Sequence, residues 1–194
     1  MSYCSAIETM SGERKALHKT YHDQWYGFPL QDDNELFCRL VLEINQAGLS
    51  WETILKKEKN FRKAYHNFNI KKVAAYTEAD RERLMADAGI IRNRLKINAA
   101  IQNAQAYQRV QAECGSFDAY VWGFVGGQPR QNAWASLREV SAKTPEAEAL
   151  SKDLLKRGFK FVGPTICYAF MQATGMVNDH VVGCFRHAEL SGSR

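Results

Sequence analysis

His180 and Cys184 lie four residues apart, a spacing that brings both side chains to one side of a helix or tight turn. Imidazole and thiolate suit a zinc ion, and Cys4 and His22, near the other end of the chain, would complete a set of two thiolates and two imidazoles. Four protein ligands leave no open coordination position. A zinc held this way would be structural, tying the amino terminus to the carboxy terminus, and catalysis would lie elsewhere. Spacing alone does not select this reading: the gap from Cys4 to His22 fits no short zinc-finger signature, and His18, His66 and His187 compete. On spacing alone, an isolated buried His180 and Cys184 with a free Cys4 thiol is the simpler account.

A second pattern carries nucleic-acid chemistry. Residues 154–165 place Gly158 and Gly163 around a short turn between one helix ending and another beginning, the grammar of a helix-hairpin-helix. The two glycines would let the backbone turn sharply and approach a partner closely. The first amides of the second helix point outward with the positive end of the helix dipole, so a DNA phosphate can dock there beside Lys156, Arg157 and Lys160. Such contacts position a protein on DNA without reading sequence. A plain antiparallel helix pair has the same glycine stop and proline start.

The elements that would carry these residues read almost entirely as helix. Asp32 with Glu35 opens one that ends near Gly48. Ser50 caps the next, which carries Trp51, Ile54, Leu55, Phe61 and Tyr65 with a break expected near Asn60. Thr77 caps a short helix ended by Gly89, a long one runs from Asn93 to about Glu113, and Ser116 starts another closed by the 126–129 turn. After an irregular 130–143, Thr144 and Pro145 open a helix to Gly158, and Pro164 opens the last, to about Ala173. No alternating strand exceeds a few residues, so the expected class is all-α.

The 194 residues, 45% apolar and 24% charged, fit one globular domain, taken as 1–187 with a flexible tail at 188–194. No apolar run is long enough to span a membrane and no export signal precedes the domain, so the expected compartment is the cytosol. Five scattered cysteines there argue against disulfides. A net charge of +5 permits a polyanionic partner without demanding one.

Five segments are decisive when taken together: Tyr21-His22-Asp23, Gln46-Ala47-Gly48-Leu49-Ser50-Trp51, Gly89-Ile90-Ile91-Arg92, Gly158-Phe159-Lys160-Phe161-Val162-Gly163 and Val177-Asn178-Asp179-His180. In order and spacing, from about Tyr21 to Cys184, they resemble the bacterial Tag family of DNA-3-methyladenine glycosylases. The resemblance implies an all-α helix-hairpin-helix glycosylase fold with one structural zinc per chain, held by Cys4, His22, His180 and Cys184. It implies a monofunctional hydrolase of base-excision repair, working as a monomer on double-stranded alkylated DNA in a bacterial cytoplasm, nucleoid-associated through that DNA, and releasing free 3-methyladenine. Glu43 matches the family's base-binding and catalytic carboxylate, and Tyr21 and Trp51 match rings that enclose the base. The DNA-binding set would be Leu49, as an apolar wedge in the 46–50 loop, with Gly158, Lys160, Val162, Gly163 and Thr165.

The physics agrees with that carry-over. Adenine methylated at N3 is cationic while attached to the sugar, so aromatic faces and a carboxylate attract it more than they attract adenine. The same charge makes it a good leaving group. The nucleotide must be flipped from the duplex at a cost of a few kcal/mol. Glu43 would either stabilise the oxocarbenium-like sugar or hydrogen-bond the base. Departures cluster on one pocket wall: Ser5-Ala6 replaces the family's aromatic after Cys4, the Cys4–His22 segment is longer, and Gln24-Trp25-Tyr26-Gly27 offers Trp25 or Tyr26 as a replacement ring. These bear on lesion range and rate; a same-fold enzyme for another alkylated base, or a non-catalytic damage-binding protein, are the rival expectations. No aspartate follows the hairpin directly, and Asp179 lies beyond Gly175.

Overall fold

A computed structural model of the protein describes residues 3–192. Eleven α-helices succeed one another among them: α1 Tyr3–Glu8, α2 Gly12–Gln24, α3 Asp33–Gln46, α4 Trp51–Ala64, α5 Ile70–Ala74, α6 Glu78–Ala86, α7 Arg94–Cys114, α8 Phe117–Trp122, α9 Pro145–Lys156, α10 Pro164–Ala173 and α11 Phe185–Ser191. Two dipeptide strands, β1 Arg130–Gln131 and β2 Val177–Asn178, pair in parallel. The class is all-α, and no helix of the described residues is long and apolar enough to cross a membrane.

The helix starts follow from local side-chain chemistry. Asp32, Ser50, Asn93, Ser116 and Thr144 each accept the amide three residues on, satisfying a donor that the first turn leaves open. α3 is the hub. Every residue from Leu36 to Asn45 is buried, so this helix has no solvent face, and α4, α7, α8 and α10 pack around it. Its polar members Arg39, Glu43 and Asn45 are thereby forced into the interior, which places the one acid among them, Glu43, under constraint.

Three local features differ from the expectations. The second helix does not break at Asn60 but runs to Ala64; the reversal comes at His66, Asn67 and Phe68, all left-handed at φ 50, 52 and 55°. Burial of Phe68, stacked on Tyr65 at 5.6 Å, offsets that backbone cost. At the amino end, where the residues gave no helix, α1 and α2 form, and their buried side chains include Ile7, His18, Tyr21 and His22. At the other end, the segment 188–194 is helical as far as Ser191 and buries Leu190; residues 193 and 194 lie outside the described ones.

Gly175 closes the packing of α10 against the chain after α2. Its φ is +69°, and a Cβ there would stand 2.2 Å from the Phe28 carbonyl carbon. Backbone cannot yield as a side chain can, so Gly175→Ala is expected to destabilise the fold by roughly 2–3 kcal/mol, read as a lowered midpoint in thermal denaturation.

Candidate base-binding pocket, DNA face and metal group

Because α3 is enclosed, Glu43 is largely buried and opens only into a cavity of about 280 Å³ shared with Tyr3, Tyr21, Tyr26, Gln46, Trp51, Ala169 and Gln172. The rings form a wall. Tyr21 lies edge-on to Trp51 at 5.1 Å, and Tyr3 and Tyr26 flank Tyr21 at 6.3 and 6.1 Å. No described residue donates a hydrogen bond to the Glu43 carboxylate, and burial pushes its pKa up to about 8, with the Arg39 guanidinium one turn away opposing the rise. The indole Nε1 of Trp51 is likewise buried without an acceptor. A carboxylate and an indole donor unpaired in one ring-lined hollow leave polar capacity for a guest.

Of the two rings offered as replacements on the altered wall, Tyr26 lines the cavity. Trp25 turns away and lies under the Arg39 guanidinium at 3.9 Å. The ring that sequence reasoning missed is Tyr3, held by a 2.9 Å hydrogen bond between its hydroxyl and His18 Nδ1. Its signal was weak: one tyrosine beside Cys4 in a segment without helical periodicity.

The loop between α3 and α4 sits at the cavity's edge. Gly48 is left-handed and Leu49 is exposed. A buried lysine fixes this loop from behind: Lys96 Nζ donates to the carbonyls of Asn45, in the last turn of α3, at 2.8 Å and of its cap residue Ala47 at 2.7 Å. Gln46, on the cavity wall, donates to the Leu49 carbonyl, linking pocket and loop.

The hairpin between α9 and α10 is present, with its turn differently built from expectation. Gly158 is left-handed at φ +91°, but Gly163 has an ordinary φ of −63° and serves as the cap residue of α10. The second left-handed residue is Phe161, at φ +58°. At Gly163 the missing side chain leaves open space, with nothing within 4 Å of an added Cβ. Pro164 lacks an N–H, so the Thr165 and Ile166 amides are those that helix geometry leaves without intrahelical partners. Lys160 and Thr165 are exposed. The Val162 side chain is fully buried and its carbonyl accepts from Ser151 Oγ at 2.6 Å, so it pins the turn and offers no surface of its own. Arg157 is engaged by Asp153 and Glu113, which removes it from the free cations.

Cys4, His22, His180 and Cys184 converge, with their ligand atoms all within 4.8 Å of one another. Cys184 Sγ is 3.5 Å from both His22 Nε2 and His180 Nδ1, and Cys4 Sγ is 3.7 Å from His180 Nδ1. The outer ring nitrogens are occupied: His22 Nδ1 lies 2.8 Å from Asp23 Oδ1, and His180 Nε2 lies 3.0 Å from the Tyr26 carbonyl. With protons directed outward to those acceptors, both inner nitrogens present lone pairs to the shared centre, the arrangement of a metal-binding histidine. Cys4 adjoins Tyr3, His22 adjoins Tyr21, and His180 holds the Tyr26 carbonyl. Three of the four pocket rings are therefore placed by members of this group.

A family model described as methyladenine glycosylase matches residues 11–187. The chain belongs to the methyladenine glycosylase family. It is 53% identical over 168 residues to DNA-3-methyladenine glycosylase 1 of Escherichia coli (strain K12), covering 87% of this chain and 90% of that one. It is 44% identical over 171 residues to DNA-3-methyladenine glycosylase of Haemophilus influenzae, covering 88% and 92%. Among solved structures it superposes on 3-methyladenine DNA glycosylase I from Staphylococcus aureus, a study of 3-methyladenine recognition, with a TM-score of 0.89 at 34% identity over 95% of this chain and 97% of that one.

Within this methyladenine glycosylase the nearest aspartate beyond the hairpin is spoken for. Asp179 accepts from Tyr168 Oη, Gln172 Nε2, Asn132 Nδ2 and Trp134 Nε1 at 2.6–2.7 Å. Four donors saturate a carboxylate. Asp179 therefore fixes the irregular 130–143 segment against α10 and has no lone pair left for a water.

Proposed function

We propose that this chain hydrolyses the N-glycosidic bond of 3-methyladenine in alkylated duplex DNA, with Glu43, Tyr21 and Trp51 holding the flipped base. The observation that carries the reading is the Glu43 carboxylate, buried without a hydrogen-bond donor in a cavity walled by aromatic rings. A neutral purine gives such an anion little in return for its desolvation, whereas a cationic base supplies the missing countercharge, and the π faces of Trp51 and Tyr21 add to the attraction. Cleavage breaks the C1′–N9 bond and leaves the electron pair on the base, which departs as neutral 3-methyladenine. Water adds to C1′ and releases its proton, leaving an abasic sugar. The charge already on the lesion supplies the leaving-group activation that other purines would need from an acid.

Leu49 fills the gap left by the flipped nucleotide, and the Thr165 and Ile166 amides with Lys160 hold a phosphate. Gly158 and Gly163 shape that approach, and Val162 contributes by anchoring the turn. Cys4, His22, His180 and Cys184 hold one zinc. A tetrahedron with arms of about 2.3 Å to sulfur and about 2.0–2.1 Å to nitrogen has sulfur–nitrogen edges of about 3.5 Å, matching the spacing of these donors. When bound, it supplies structure rather than chemistry.

Incubating the purified protein with N-methylated duplex and chromatographing the freed bases tests the reading. The expected product is free 3-methyladenine; release of no methylpurine would defeat it.

A further inference from the structure

Six large apolar side chains are exposed among the described residues; two of them, Leu95 and Phe161, share one groove, and a third, Leu49, lies on a loop tied to the same helix. Leu49 tips the loop that Lys96 clamps. Leu95, the neighbour of that lysine in the first turn of α7, is 67% exposed. Phe161, on the hairpin turn, is 43% exposed. α7 joins them mechanically: its start holds the Leu49 loop through Lys96, and further along Asn103 holds the hairpin by donating to the Lys160 carbonyl and accepting the Lys160 amide at 3.0 and 2.7 Å. Leu95 and Phe161 face a common groove of about 460 Å³, whose other lining residues are Asn98, Ala99, Gln102 and Lys160.

We propose that Leu95 and Phe161 form a second, apolar DNA contact, seating the deoxyribose faces of the strand whose phosphate docks on the first amides of α10. This rests on the reading of the hairpin as a phosphate site. Three observations favour a DNA strand over a protein in the groove. Its lining has one cation and no acid, so its charge complements a polyanion. Arg92 is exposed just before the same end of α7. The groove is also continuous with the hairpin turn, which supplies Lys160 and Phe161 to its lining. Phe161 adds a point about cost. A left-handed backbone disfavours a side chain, and glycine would relieve it, yet the position carries a bulky ring turned half toward solvent. That ring does not earn its place by packing alone.

The contact predicts opposite responses in stability and binding. Phe161→Gly is expected to leave the melting temperature unchanged or raised, because glycine suits the backbone, while weakening affinity for a duplex carrying a tetrahydrofuran abasic-site analogue about tenfold. Apolar contacts release no counterions, so the slope of log affinity against log salt should stay at the wild-type value; in Lys160→Gln it should become shallower by about 1. Leu95→Gln, on an exposed first turn, should weaken binding about threefold and guards against misfolding of the first variant. Affinity for free 3-methyladenine should be unchanged in all three. If Phe161→Gly and Leu95→Gln both bind within twofold of wild type while Lys160→Gln alters the slope, the apolar contact is wrong and the hairpin stands. If Lys160→Gln alters neither affinity nor slope, the hairpin assignment falls and the contact with it.

Discussion

Glu43→Gln is expected to slow release of 3-methyladenine by about 10²–10³-fold, a loss of roughly 3–4 kcal/mol of transition-state stabilisation, while making the protein more stable. Both follow from one fact: the Glu43 carboxyl is largely buried and has no hydrogen-bond donor, so ionising it in the folded protein is costly until a cationic base arrives. The folded carboxyl titrates near 8 against an ordinary 4.5. Below about pH 4.5 the folded and unfolded chains both carry the proton and burial imposes no electrostatic cost. As pH rises from there to about 8 the unfolded chain ionises first, so stability is lost across that window and no further above it. Glutamine cannot ionise. Its advantage in thermal stability should therefore be small at pH 5 and reach the order of a few kcal/mol at pH 8. Differential scanning at the two pH values, with single-turnover release assays, checks both halves; a variant that is slower and also less stable at pH 8 would mean that Glu43 is a structural ligand of the core.

The second large effect is at the metal group. Cys184→Ser should lower zinc from about one per chain to none by mass spectrometry of the native protein, and should lower the melting midpoint by about 10 °C or more. The cost arises because the buried His22 and His180 and the half-buried Cys4 stay without their partner while the link between α1, α2 and the 177–185 segment is lost. A further consequence separates this from simple destabilisation. Because Cys4, His22 and His180 place Tyr3, Tyr21 and Tyr26, loss of the clasp should loosen the ring wall, so affinity for free 3-methyladenine should fall at temperatures where the variant is still folded by circular dichroism. A zinc-free variant with wild-type midpoint and wild-type base affinity would refute the clasp.

What could be read from the residues divides along a physical line. Local rules worked: Asp32, Ser50, Asn93, Ser116 and Thr144 cap their helices because a short polar side chain and an amide three residues on interact whatever the rest of the chain does. Features set by long-range packing did not yield to the same reading. Helical phase could not tell whether Glu43 was buried, since the answer depends on four other helices enclosing α3. Tyr3 reaches the pocket only because Cys4 meets residues about 180 positions away. The left-handed turns at His66–Phe68 and at Phe161 break the rule that glycine marks such positions; at the first, burial of Phe68 offsets the backbone cost. The four members of the metal group were recognisable as types, but only the family resemblance joined Cys4 and His22 to the pair at 180 and 184.

The central claim is that Glu43 selects the lesion by its charge. Its most direct test is the affinity of wild type and Glu43→Gln for two duplexes, one with N3-methyladenine and one with its neutral 3-deaza isostere, each on a 2′-fluorinated sugar that resists cleavage. The account predicts that wild type at pH 8 prefers the cationic lesion by tenfold or more and that the glutamine variant binds both alike, a coupling of at least about 1.4 kcal/mol. An equal preference in the two proteins would contradict it.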